Sequence, residues 1–297
     1  MAIRDMAFLV VINFLWGLNF IAVKLAVEDL PPLLANALRF TVVLVLLLPW
    51  LKIVTGRMKD LLLVAFTLGF LHFGTVFVAM SLAEHISAVA IAAQLNVPFA
   101  TLLAVLFLGE QVGWKRVAGI ALSFAGVVLL GFDPRVFAYL DALALVVFSA
   151  LVYAVAAILM RRLHAVRATT TQAWVAVAGV SGSALLSMMM ESGQAAALAG
   201  ADWVPFVAVV YSGVASSIIG HGGVNYLLRK YEVSVISPYL LLMPLFAIIN
   251  GIVFLGETLT LRMVIGGALT LLGVAIVTLR NSRRSVRLER DILEQEQ

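Results

Sequence analysis

The chain contains no cysteine, which excludes a disulfide framework and any thiolate metal site. Charge is scarce as well. Asp, Glu, Lys and Arg make up 12% of the 297 residues, against about 25% in a typical soluble domain. The few charges cluster between apolar runs, and none interrupts residues 61–83, 86–109, 142–160, 204–228 or 233–256. Apart from Asp141 at the very start of one, no Asp or Glu falls within an expected membrane span, so the carboxylate of a proton relay or cation-binding drug antiporter is missing. A phosphate-binding Gly loop, a metal-spaced His set and a nucleophile triad are missing too. These absences argue against an ATPase or an intramembrane enzyme, and neither cofactor nor metal is expected.

What is present is hydrophobic: 63% of residues, with mean hydropathy +1.09. A run of about 18 or more apolar residues is a spanning-helix candidate, because a hydrocarbon core about 30 Å thick needs about 20 residues at 1.5 Å each. Runs of this length also exclude an outer-membrane barrel, whose strands alternate over about ten residues. The sequence predicts an all-α integral membrane protein with ten transmembrane helices, near 6–27, 31–51, 61–83, 86–108, 115–132, 141–160, 170–190, 204–228, 233–255 and 262–280. The apolar run Met6–Val23 is followed by Lys24, Glu28 and Asp29 rather than by a small-residue cleavage site, so it reads as the first membrane helix and not as a signal peptide.

The basic residues test this layout. With the N-terminus inside, 16 of the 20 Lys and Arg fall on the cytoplasmic side, two outside and two within spans. That asymmetry is a positive-inside signal, and it places both termini in the cytoplasm of a cell whose inner membrane holds the chain. It also accounts for the formal charge of +4 without invoking nucleic acid.

An internal repeat is visible. Phe107-Leu-Gly-Glu110 recurs as Phe254-Leu-Gly-Glu257, an offset of 147; Ser87 and Ser234, Gly119 and Gly266, and Gly126 and Gly273 pair at the same offset, and Pro98 and Pro244 at 146. Because each copy holds five helices, an odd number, the second must enter the bilayer upside down. The expected units are residues 1–132, the inverted copy 133–280, and a charged cytoplasmic tail 281–297. Inverted repeats are a frequent architecture of secondary transporters.

Trp16-Gly17-Leu-Asn19-Phe20 with Lys24, then Pro32 with Arg39-Phe40, then in each half a proline-centred helix, Leu-Gly-Glu and a Gly-rich fifth helix, resemble the drug/metabolite transporter superfamily and its ten-helix EamA-type members. The likeness runs to about residue 280 and inclines toward the YddG-like exporters of aromatic amino acids. The sixth span lacks the Trp-Gly pair, so the start of the second copy matches less well. The resemblance implies that helices 1–4 and 6–9 surround a central cavity, with helices 5 and 10 outside it. The small residues of spans 5 and 10 suit close helix approach.

Arg39 lies about eight residues, or about 12 Å, inside one end of the second span. That depth is costly for a charge facing lipid. Two roles fit it: a tether to Asn36, Glu28, Asp29 or helix-end carbonyls, and a partner for a substrate carboxylate. Lys24 is nearer a surface and can snorkel. Pro98 and Pro244 break spans 4 and 9 and free the carbonyls of Gln94 and Leu240, as kinks for bending and binding or as static packing. His72 and His221 fall near the repeat offset, as neutral histidines bonded to neighbouring helices or as groups handling substrate and protons. Trp16, Phe73, Phe77, Tyr153, Trp174 and Tyr239 offer flat surfaces to an amphipathic ligand. Asn19, Gln94, Asn96 and Asn225 offer uncharged polar groups.

The expected function is export of a small amphipathic metabolite, foremost a neutral or aromatic amino acid, by alternating access through a central cavity. Alternatives are a nucleobase, nucleoside or drug exporter and a channel-like facilitator. The expected partners are the small-molecule cargo and the bilayer; the sequence leaves the oligomeric state open, with a monomer plausible.

Overall fold

The computed structural model describes residues 1–109, 112–163, 165–228, 230–231 and 233–295. Among the described residues nine helices are long and apolar enough to cross a membrane: α1 (Ile3–Asp29), α2 (Pro32–Trp50), α3 (Met58–Leu82), α4 (Ile86–Phe107), α5 (Trp114–Gly131), α6 (Leu140–Met160), α7 (Ala168–Met190), α8 (Trp203–Val224) and α10 (Leu261–Leu279). A shorter apolar helix, α9 (Tyr239–Leu255), stands between the last two. It is short because its beginning is split: Val233–Ile236 forms one turn, Ser237–Leu241 a tighter 3₁₀ turn, and the α-helix starts at Leu242. Beyond the apolar part of α10 the chain continues as helix to Gln295. Leu106, Val128, Leu185 and Phe254 remain exposed on the bundle's flanks. In water such surface is a liability; in hydrocarbon it is the solvent-facing side.

Helix ends follow the local chemistry. Pro32 opens α2, where its missing amide costs nothing. Gly109 and Gly256 end α4 and α9 at φ 65° in the left-handed region, which glycine enters without a Cβ clash. The repeated Leu-Gly-Glu is therefore a helix-stop signal used twice. Two helices are capped by carboxylates from elsewhere in the chain. Glu191 accepts the Leu33 and Leu34 amides at the start of α2, at 2.7 and 3.1 Å. Glu257 accepts the amides of Ile86 and Ser87 and the Ser87 hydroxyl at the start of α4. Negative charge at a helix N-terminus is favourable because the unpaired amides and the helix dipole both point there.

Packing does not follow the order of the chain. α1 packs chiefly on α8 and α9, and α6 chiefly on α3 and α4, so each half lends its first helix to the other. α2 packs on α7, and α5 on α10. Both of these seams join positions 147 residues apart. Asn36 Nδ2 donates to Ser183 Oγ at 2.8 Å, and Thr270 Oγ1 approaches the Ser123 carbonyl at 3.5 Å. Positions that meet their own counterparts lie on an axis relating the halves. Along the α5–α10 seam a Cβ on Gly126 would stand 2.5 Å from the Gly266 carbonyl oxygen, and one on Gly273 would stand 2.5 Å from that of Gly119. Only glycine permits such an approach.

Candidate functional site

Four helices depart from regular α geometry. α3 is π-helical over Phe66–His72 and α8 over Ser212–His221. α4 tightens at Gln94–Leu95, where the amides of Gln94 and Leu95 bond three residues back. The Gln94 carbonyl, deprived of its usual donor by Pro98, takes the Val97 amide at 3.2 Å instead. α9 has its 3₁₀ turn just before Pro244. Both proline helices thus break about one turn ahead of the proline. π-Turns displace side chains from α-helical register and often mark functional sites; here each π segment ends in a histidine.

Arg39 sits on α2 where it meets α3 and α8, and is 1% exposed. Its Nη2 donates to Ser217 Oγ in the π segment of α8 at 3.0 Å. Its guanidinium carbon lies 4.4 Å from the centre of the Phe73 ring, 5.4 Å from Phe40 and 5.8 Å from Phe77, the range of cation–π attraction. Its Nε has no hydrogen-bond partner, and among the described residues no carboxylate pairs with it. The expected tether to Glu28 or Asp29 is replaced by a hydroxyl and aromatic faces.

The two histidines flank this charge. His72 Nδ1 meets the Ser149 carbonyl at 3.1 Å and the Ser149 hydroxyl at 2.7 Å. A proton on Nδ1 satisfies the carbonyl and leaves Nε2 an acceptor. The His72 ring contacts Phe73 at 4.6 Å and Tyr153 at 5.0 Å between centroids. On the other side His221 lies 5.1 Å from Trp16, whose Nε1 donates to the Ser216 carbonyl at 3.0 Å. Gly220 makes room for this indole: a Cβ there would come within 2.9 Å of Trp16 Cε2.

The structure thus brings Trp16, Arg39, His72, Phe73, Phe77, Tyr153 and His221 into one cluster. Gln94 is buried and Asn96 half-buried at the break in α4. Asn19 is half-buried with its Oδ1 lacking a partner. Trp174 stands apart, donating to the Lys52 carbonyl at 2.9 Å near the end of α2. Tyr239 packs with Leu9, Ile12 and Leu227, its hydroxyl 3.5 Å from Met6 Sδ. The Asn225 side chain and Glu110 lie outside what is described. Lys24 donates to the Ala83 carbonyl at 2.7 Å, at the end of α3. Sequence reasoning missed Ser149, Ser216 and Ser217, which anchor His72, Trp16 and Arg39. The available signal was the run of small polar residues Ser212, Ser216 and Ser217 in an otherwise apolar span.

A ten-helix bundle with a polar-aromatic centre has the form of a membrane carrier, and the model of the EamA-like transporter family matches residues 5–132 and again 137–279. The chain belongs to the EamA-like transporter family. It is an integral membrane transporter and not an enzyme. The double match falls once on each half. An uncharacterized transporter of Archaeoglobus fulgidus is 31% identical, covering 88% of this chain and 94% of the relative. A probable amino-acid metabolite efflux pump of Salmonella typhimurium is 27% identical over 91% of this chain and 93% of its own. A probable terminal-alkyne amino-acid exporter of Streptantibioticus cattleyicolor is 27% identical over 63% of this chain and 62% of its own. A solved crystal structure superposes with a TM-score of 0.63 at 20% identity, covering 96% of this chain and 99% of that one, which shows that the EamA-like chain shares its fold.

Proposed function

We propose that this transporter exports a neutral, amphipathic amino acid, with aromatic ones favoured, by alternating access across a bacterial inner membrane, with both termini in the cytoplasm. The observation that carries the reading is the central cluster: one buried cation, two histidines and four aromatic rings, set about the π segments of α3 and α8. Rings supply stacking surfaces for a flat side chain. Arg39, the histidines and the serine hydroxyls supply polar contacts without a fixed carboxylate. A permanent cation would lack the anionic partner it needs in a low-dielectric site. A phosphorylated sugar would call for several clustered bases, and Arg39 is the cation of this cluster among the described residues. Breaks in α4 and α9 supply hinges on which the bundle can alternate. The names of the Salmonella and Streptantibioticus relatives point to amino-acid cargo, and the 16-to-2 distribution of basic residues supports the orientation.

Purified protein in liposomes loaded with unlabelled phenylalanine should accumulate labelled phenylalanine or tryptophan by counterflow, with saturation. Counterflow confined to nucleobases or cationic drugs would overturn the cargo assignment. Flux that neither saturates nor exchanges would indicate a channel-like facilitator.

A further inference from the structure

Arg39 is a buried charge whose donors are sparsely met, whereas other buried polar groups near the helix ends and seams find firm partners. Asn36 meets Ser183, and Glu257 meets two amides and a hydroxyl. A guanidinium has five N–H donors in a planar fork, yet one hydroxyl is the hydrogen-bond partner Arg39 has among the described residues, and its Nε has none. Aromatic faces offset part of the cost of burying the charge, but they accept none of the remaining in-plane donors. The halves are also unequal here. Position 186, which is 147 residues on, is Leu, so the repeat supplies no second cation. Arg39 therefore presents one positive charge and a planar set of unspent donors at the meeting point of α2, α3 and α8.

We infer that Arg39 is the anion-receiving pole of the transport site and takes the carboxylate of the cargo through its guanidinium. The inference rests on the transport reading above and adds the chemical class of the group recognised. A carboxylate matches a guanidinium fork in plane and in spacing. It brings one charge to meet one, whereas a phosphate ester would bring more charge than this single base neutralises. Ser217 holds one arm of the fork from the α8 side, the Phe73 ring lies 4.4 Å from the guanidinium carbon, and the unpartnered Nε is left for the cargo. The charge stays without a counter-ion until cargo enters, so the carboxylate is a condition of tight binding and not one contact among many.

The test is ligand-induced thermal stabilisation of the purified full-length carrier in detergent. Acid and amide pairs serve as probes: phenylalanine with phenylalaninamide, 3-phenylpropionate with its amide, and benzoate with benzamide. The wild type should bind at least one acid tenfold or more tightly than its amide. Chloride and inorganic phosphate should not compete at equal concentration. Arg39→Gln should bind acid and amide alike, while Arg39→Lys retains a preference for the acid. Equal binding of acid and amide by the wild type, an unchanged preference in Arg39→Gln, or equally tight binding of chloride would overturn the assignment. Should Arg39→Gln fail to fold, the wild-type pairs still decide, together with Ser217→Ala, which should weaken acid binding several-fold and leave amide binding unchanged. The simple acids separate the two readings: preference for benzoate or 3-phenylpropionate with no amino-acid binding would retain the carboxylate pole and remove amino acids as cargo.

Discussion

Gly220 and Trp16 touch across the α1–α8 interface so closely that a methyl group at position 220 would come within 2.9 Å of the indole ring. The Trp16 Nε1 also donates to the Ser216 carbonyl, one turn earlier on α8. Gly220→Ala is expected to expel the indole and to cost about 1–3 kcal/mol, the range for overpacking a filled site. A lower unfolding temperature together with lost counterflow is the expected result. Full transport at wild-type stability would show that the indole can retreat without consequence.

Glu257 fixes the start of α4 through two amides and the Ser87 hydroxyl while only 6% exposed. Removing such a cap costs about 0.5–2 kcal/mol. Glu257→Ala should fall at the upper end, because Ser87 loses its partner as well. Glu257→Gln should fall between the two, since one amide oxygen still accepts. Thermal unfolding of the three proteins in one detergent checks the order. Equal midpoints would mean that the cap contributes nothing measurable.

Lys230 donates to Asp5 at 2.5 Å, linking the loop after α8 to the first turn of α1. This hydrogen bond holds the Lys230 ammonium above its ordinary range. A lysine raised in the folded state stabilises fully below its unfolded value and loses that contribution as pH rises through the folded value. The stability difference between wild type and Lys230→Met should therefore stay flat from about pH 6 to 9 and shrink only above about 10.4, the ordinary lysine value. A difference that disappears near neutrality would assign the effect to another group.

Orientation can be read with single cysteines, because the native chain has none. Cysteine at exposed Ser192 should react with an impermeant maleimide added outside intact cells, while cysteine at exposed Arg57 or Ala165 should react only after lysis. External labelling at Ala165 would refute the ten-helix layout with cytoplasmic termini.

Much of the fold was legible because the bilayer imposes a length and a composition on each span. The repeat was legible because Leu-Gly-Glu encodes one backbone event, the left-handed stop at Gly109 and Gly256. Arg39, His72 and Trp16 stood out as polar or aromatic residues at span depth. Their partners did not, since hydrogen bonds such as Arg39 to Ser217 and His72 to Ser149 join residues 178 and 77 positions apart, and helix periodicity carries no information about which helices adjoin. The same gap hid the exchange of α1 and α6 between halves. The π segments escaped notice because the small and polar residues they carry, such as Gly69, Ser212, Ser216 and Ser217, also occur in regular transmembrane helices.

The contact of Asn36 with Ser183 carries one more consequence. In two identical chains related by this axis, each residue on it would face a copy of itself and would have to be its own complement, as in any isologous dimer. A single chain that holds both halves is released from that rule. Here an amide donor faces a hydroxyl, and on the other seam a threonine faces a serine. The liberty extends to Arg39, which faces no second arginine because Leu occupies position 186. A symmetric pair of chains would carry two such cations or none; one covalent chain can hold a single charge near its centre, and so can discriminate one end of its passenger from the other.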